Sequence, residues 1–215
     1  LASGGRAGWN LVTSTHRAEA ESFGTQPHMA KSERYERARE FAHVTRGLWN
    51  SFDDDAFPRD KESGVFLDQD KLHILEHKGE HFQVRGPLNV PPSPQGEPVM
   101  VQAGSSEDGR ELAAETAEVV FGIHQTLEGA QGFYADVKAR MAAYGRHPDA
   151  LKIMPGLMVY VGHDKAAAAE KFEMMQDLID DRTGIEFLSN RMDFDFSGHD
   201  PDGPVPDIEF DNVSS

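Results

Sequence analysis

The residues with the most chemical content are Gly104-Ser105-Ser106, which follow the apolar run Val99-Met100-Val101-Gln102-Ala103. Small residues between a strand and a helix leave backbone N–H groups uncovered, and serine hydroxyls add donors. The turn is therefore suited to an anion or a phosphate. The same residues serve as a helix N-cap if Ser105 or Ser106 bonds the first turn, with Glu107 and Asp108 complementing the helix dipole. Spacing alone leaves both readings open. A second candidate is Gly8-Trp9-Asn10-Leu11-Val12-Thr13-Ser14, which reads as a short buried strand with Asn10, Thr13 and Ser14 near its C-terminal end. In a barrel that end faces the active site. Otherwise the polar residues are ordinary turn formers.

Other patterns carry less. His73, His77 and His81 recur at i, i+4 and i+8, which on a helix would make a metal-binding face. Lys78-Gly79 interrupts such a helix, and a hairpin there scatters the three rings, so solvated loop histidines are expected. Asp193-Phe194-Asp195-Phe196-Ser197-Gly198 imitates the opening of a calcium loop, but Pro204 stands at the twelfth position, where a bidentate Glu is required. Asp53-Asp54-Asp55 reads as a solvated acidic loop, and Met174, Met175 and Met192 read as core fillers. Neither a Gly-x-Ser-x-Gly elbow nor a Walker loop is present, so hydrolase and P-loop chemistry have no support. The sequence names no catalytic acid or base and no metal ligand.

Around these residues, hydrophobic periodicity outlines the elements. A helix with Ser32 as its N-cap carries Tyr35, Ala38, Phe41, Ala42, Leu48 and Trp49. A hairpin is expected within Leu72–Val84, followed by an extended proline-rich loop to Pro98. After the Val99–Ala103 strand comes a helix through Leu112, Ala113, Ala117 and Val120, with Val119–Gly122 straddling its end and a third strand. Leu127 to Met141 reads as a helix stopped by Gly145 and Pro148, Lys152 to Val161 as a fourth strand, and Asp164 as the cap of a helix through Ile179. Beyond Gly184 the pattern fades into Asp-, Pro- and Gly-rich sequence. Strands alternating with helices imply an α/β fold with a parallel sheet. A doubly wound sheet and an eightfold barrel compete, and the lack of Gly-x-Gly-x-x-Gly after any strand weakens the first.

Composition narrows the function classes. The 215 residues carry 21 Lys+Arg against 37 Asp+Glu, a net charge of -16, with no local basic stripe, which argues against nucleic acid as a partner. The absence of cysteine removes disulfides, thiolate catalysis and Cys-ligated metals. No apolar run approaches the roughly 20 residues that span a bilayer, so a soluble, cytoplasmic protein without a membrane partner is expected. Leu1-Ala2-Ser3-Gly4-Gly5 reads as a helix end running into a loop, so the chain is expected to begin mid-domain.

Ser3-Gly4-Gly5-Arg6-Ala7-Gly8-Trp9-Asn10-Leu11-Val12-Thr13-Ser14 resembles a signature of bacterial-luciferase-type flavin monooxygenases, in the branch acting on nitrilotriacetate, EDTA and dibenzothiophene sulfone. Phe23-Gly24, Glu33-Arg34-Tyr35, Glu40-Phe41, Leu48-Trp49, Asp60-Lys61-Glu62-Ser63-Gly64 and Val84-Arg85-Gly86-Pro87-Leu88-Asn89 continue the likeness. Pro94-Gln95-Gly96, Gln102-Ala103-Gly104-Ser105-Ser106 and Lys152-Ile153-Met154-Pro155-Gly156 complete it, in fixed order from Leu1 to about Ile208.

The resemblance implies a luciferase-like (β/α)8 TIM barrel, and with about four strand–helix units the chain is an incomplete one. It would be the central part of one barrel domain, with a loop and hairpin insertion at about 52–97 and a Pro/Asp-rich stretch at about 185–215. It implies FMN, used reduced and supplied by a separate NAD(P)H:flavin reductase, with O2 and a small organic substrate such as an aminopolycarboxylate, sulfone or sulfonate. Carried over position by position, Gly104, Ser105 and Ser106 would hold the FMN phosphate, Tyr35 would contact FMN, and Asn10 and Thr13 would line the pocket. Lys31 departs from the pattern, since relatives often place His four residues before this tyrosine. A lysine still neutralises phosphate, and His28 is the stand-in if the loop is shifted. Relatives are commonly oligomers of identical chains. The alternative function is a non-catalytic half-barrel serving assembly, and a sugar-phosphate barrel enzyme would fit the Gly-Ser-Ser turn but not the other blocks.

Overall fold

The structure, a computed structural model, describes residues 2–14, 17–24, 29–192 and 194–206. Contacts divide it into two units, Leu1–Thr13 with Ser32–Met154, and Ser14–Lys31 with Pro155–Ser215. The elements follow in the order β1 (Gly8–Asn10), α1 (Arg17–Ser22), α2 (Lys31–Trp49), β2 (His77–Lys78), β3 (Gln83–Val84), β4 (Val99–Gln102) and α3 (Glu107–Thr116). Next come β5 (Val119–Ile123), α4 (Leu127–Arg140), β6 (Lys152–Gly156), α5 (Lys165–Asp177) and α6 (Asp181–Met192).

The first unit is built on a four-stranded sheet in the order β1-β4-β5-β6, with strands β1, β4 and β5 parallel. Sequential strands lying side by side with a helix in each crossover are the α/β arrangement expected of this pattern. Register places Trp9 beside Met100, and Gln102 beside Val120, so these side chains share one face of the sheet. That face packs on helices. Leu11 and Met100 join Ala38, Ala42 and Leu112 in one cluster, with Trp9, Tyr35 and Trp49 against it. Val120 joins Ala113, Ala114, Ala117, Phe133, Val137, Met141 and Leu151 in another. Trp9 meets Phe41 and Trp49 edge-on at 5.6 and 5.5 Å between centroids. The opposite face, carrying Asn10, Val99, Phe121 and Ile123, is exposed.

The hairpin stands where expected. β2 and β3 pair antiparallel with His77 opposite Val84, and Gly79 N–H donates to Phe82 C=O at 2.9 Å. Glu40 of α2 clamps it. The carboxylate accepts from His77 Nε2 at 2.8 Å and from the backbone N–H groups of His81 and Phe82 at 2.8 and 2.9 Å.

Several expectations are corrected. β1 ends at Asn10 rather than Ser14, after which one further ladder bond, Leu11 N–H to Val101 C=O at 2.9 Å, closes the pairing. α2 begins at Lys31, which puts Ser32 inside the first turn instead of at the cap. Val119–Gly122 lies wholly in β5, because α3 already stops at Thr116 and Ala117 is extended. β6 ends at Gly156 rather than Val161, as Pro155 cannot donate to a ladder.

The second unit is described by its helices. α5 is capped by Asp164, whose Oδ1 accepts from Ala167 N–H at 2.8 Å. α6 runs on through Gly184 to Met192, past the point where the pattern fades in the sequence. Asp180 supplies the missed start signal by accepting from Thr183 N–H at 2.9 Å. No residue of α5 is buried, and Met174 and Met175 are exposed instead of filling a core. No helix among the described residues is long and apolar enough to cross a membrane.

The Glu40 clamp makes the hairpin sensitive to acid. Desolvation pushes this carboxyl up, but the bonds from His77 and the two backbone N–H groups together outweigh it and bring it to about 2. A depressed carboxyl contributes stability above its unfolded value that fades as pH falls towards the folded one. Exchange at His81 and Phe82, referred to the unstructured rate at each pH, is therefore expected to be strongly protected at pH 7 and to lose protection as pH drops from about 4.5 towards 2. Glu40→Gln, with one of its two acceptor oxygens replaced by a donor, should accelerate it already at pH 7. Protection indifferent to both changes would show that the clamp holds nothing.

Candidate functional site

β4 feeds α3 through Ala103-Gly104-Ser105-Ser106, and Ser106 is the N-cap. Its Oγ accepts from Gly109 N–H at 3.3 Å and donates to Tyr35 Oη at 3.3 Å. The capping role thus falls to Ser106, with Ser106 C=O taking the first helical bond from Arg110 N–H at 2.8 Å. Ser105 Oγ and the backbone N–H groups of Ser106, Glu107 and Asp108 have no acceptor or donor among the described hydrogen bonds. Capping therefore falls to Ser106 and leaves the neighbouring Ser105 hydroxyl unengaged among the described hydrogen bonds.

Two glycines bring the backbone of this turn unusually close to α3. A Cβ on Gly104 would stand 3.0 Å from Gly109 Cα and 3.2 Å from Tyr35 Oη. One on Gly109 would stand 3.0 Å from Gly104 backbone and 3.1 Å from the same hydroxyl. The tyrosine therefore rests its hydroxyl on bare backbone, and its ring lies against the cluster of Leu11, Ala38, Ala42, Met100 and Leu112. The hydroxyl reaches the cap only because neither glycine carries a side chain.

The expected site residues fare unequally. Tyr35, Gly104 and Ser106 are brought together, and Ser105 lies between the two turn residues. Asn10 ends β1 on the open face of the sheet, beside Val101 of β4, and half-buried Thr13 lies beyond the strand end. No described hydrogen bond ties either to the turn. Lys31 is the first residue of α2, four before Tyr35. His28 lies outside the described residues, as does Asp193 of the calcium-like sequence. The three histidines are indeed scattered. His73 Nε2 meets Asp53 at 2.8 Å, His77 meets Glu40, and His81 Nε2 is buried without a partner.

Sequence reasoning missed Gly109, Arg110 and Asp136. A glycine in the first turn of a helix costs about 1 kcal/mol against alanine, which is a signal that something approaches closely there. Arg110 reaches back from α3, its Nε donating to Ser105 C=O at 2.8 Å and its Nη1 pairing with Asp136 at 2.8 Å. Arg140 binds Asp136, Glu107 and Glu111 at 2.8, 2.7 and 2.7 Å. Its hydrogen bonds to these carboxylates hold the guanidinium above the usual arginine range. Glu111 is held below the usual carboxylate range by hydrogen bonds from Tyr144 and Arg140.

The family's sequence profile, that of the luciferase-like monooxygenases, matches residues 1–202. The chain belongs to this family. It is 50% identical over 204 residues to nitrilotriacetate monooxygenase component A of Aminobacter aminovorans, covering 94% of this chain and 45% of that protein. It is 47% identical over 208 residues to N-acetyl-S-(2-succino)cysteine monooxygenase of Bacillus subtilis, covering 96% of this chain and 47% of that protein. A crystal structure of long-chain alkane monooxygenase superposes with a TM-score of 0.86 at 35% identity, covering 96% of this chain and 48% of that one. A riboflavin lyase crystallised with modified FMN and riboflavin superposes with a TM-score of 0.89 at 30% identity, covering 99% and 47%. The fold is thus luciferase-like, and the chain spans about half the length of the relatives it matches.

Gly109→Ala tests the close approach. Helix propensity alone favours the change by about 1 kcal/mol, whereas forcing a methyl against backbone and the Tyr35 hydroxyl costs about 1–3 kcal/mol. A net loss of stability in urea denaturation is expected. Equal or higher stability would show that α3 and Tyr35 yield without cost.

Proposed function

We propose that this chain carries the FMN-phosphate anchor of a two-component flavin monooxygenase, which uses reduced FMN and O2 to oxygenate a small organic substrate. The observation that carries the reading is the start of α3, where the Ser105 hydroxyl and the N–H groups of Ser106, Glu107 and Asp108 have no partner among the described hydrogen bonds. Donors converging at a helix N-terminus fit a dianionic phosphate, and the FMN held by the riboflavin lyase of the same fold supports that ligand. FMN, when bound, supplies the oxygen chemistry.

The protein's share is to bind and orient. Ser105 Oγ and the N–H groups of Ser106, Glu107 and Asp108 would hold the phosphate, and the Tyr35 hydroxyl, fixed by Ser106, would contact it. Asn10 and Thr13, at the neighbouring strand end, would line the pocket. Reduced flavin would come from a separate NAD(P)H:flavin reductase in the cytoplasm. Substrates of the kind named for the relatives, such as an aminopolycarboxylate or a sulfur compound, are the class expected. A second reading, a non-catalytic assembly module, is favoured by the exposed apolar residues Val99, Phe121 and Ile123 on the open face of the sheet.

An anaerobic titration with reduced FMN, beside riboflavin, separates the two. The enzyme reading expects FMN to bind more tightly than riboflavin, and Ser105→Ala to weaken FMN about tenfold while leaving riboflavin unchanged, as befits loss of a hydrogen bond to a charged group. Equal affinities for the two flavins in the unsubstituted chain would sink the phosphate assignment.

A further inference from the structure

Arg110 has a set of contacts that the phosphate reading does not use. Its side chain folds back from the first turn of α3 so that Nε donates to Ser105 C=O at 2.8 Å. Nη1 pairs with Asp136 of α4 at 2.8 Å, and the guanidinium lies over the Phe133 ring with Cζ 5.6 Å from its centroid. Asp136 is itself fixed by Arg140 Nε at 2.8 Å. An arginine serving only as counter-charge to Asp136 would not also need the turn carbonyl. Three contacts on three different groups give the guanidinium a single orientation, which its planar fork is built to keep.

That orientation decides where the turn points. A trans peptide unit is planar, with C=O and N–H directed to opposite sides. Holding Ser105 C=O on the Arg110 side therefore turns the Ser106 N–H to the other side, where no acceptor among the described residues meets it. The N–H groups of Glu107 and Asp108 follow at the helix start, where α-helical geometry leaves them without intrahelical partners. We infer that Arg110 is a positioning residue of the phosphate turn, setting the direction in which Ser105 and the Ser106 N–H are presented to a phosphate monoester. The inference rests on the phosphate reading above.

The test uses the whole chain, titrated anaerobically with reduced FMN and reduced riboflavin, with thermal midpoints measured alongside. Wild type is compared with Arg110→Gln, Arg110→Lys and Asp136→Asn. Arg110→Gln is expected to weaken FMN about tenfold while riboflavin, which has no phosphate, changes by less than about twofold. Arg110→Lys, retaining one charged donor, should recover part of the loss. Asp136→Asn, which leaves the arginine in place but loosens it, should shift the FMN:riboflavin ratio in the same direction and serves if Arg110→Gln does not fold. Parallel losses for both flavins, or an unchanged ratio where Ser105→Ala alters it, would overturn the inference and leave Arg110 a mere link between α3 and α4. A wild-type chain without FMN preference would instead remove the phosphate reading, and this inference with it.

Discussion

The contact on which the site depends is the one between a hydroxyl and two bare backbones. Tyr35 Oη lies 3.2 and 3.1 Å from where a Cβ on Gly104 or Gly109 would stand, and it accepts from the N-cap hydroxyl of Ser106. Strand β4, helix α3 and helix α2 therefore meet at a point where no side-chain volume is available to separate them. The cluster beneath, Leu11, Ala38, Ala42, Met100 and Leu112, is built from the same three elements and β1. Burial of that cluster holds α2 against the sheet, and the glycines set how closely the turn can follow. Hydrophobic packing supplies the force, and the missing Cβ atoms supply the geometry.

Electrostatics at the turn runs against the charge of the chain. A net charge of -16 and two acidic residues at the start of α3 would oppose a phosphate if left alone. Glu107 is instead paired with Arg140 at 2.7 Å, and Glu111 with Arg140 and Tyr144. Asp136 is shared by Arg110 and Arg140. Glu107, Glu111 and Asp136 thus already have partners, which leaves Asp108 as the carboxylate of the first turn of α3 without an ion pair among the described residues. Glu107 and Asp108 also complement the helix dipole, so they serve the stability of α3.

Much of this was legible in the residues. Val99–Gln102 followed by Gly104-Ser105-Ser106 announces a strand, a tight turn and a helix start, and each stands within a residue or so of its expected place. The hairpin near Lys78-Gly79 was equally readable, because the turn residues break the histidine spacing before a helix can form. What could not be read was long-range. Nothing local says that Tyr35 and Gly109, 74 positions apart in number, approach the same atom, or that Arg110 turns back to a carbonyl five residues earlier. Met174 and Met175 misled for a related reason. Their spacing reads as core, but no residue of α5 is buried in this structure.

The shape of the turn and the identity of a substrate are separate questions. Every contact that shapes the turn, from Tyr35 and the two glycines to Arg110, Phe133, Asp136 and Arg140, comes from the first unit. The turn is therefore specified within that unit. Two relatives named for chemically different substrates are 50% and 47% identical to nearly the whole of this chain, so its overall likeness does not rank one substrate above the other. Discrimination between small molecules rests on a few groups placed against the ligand.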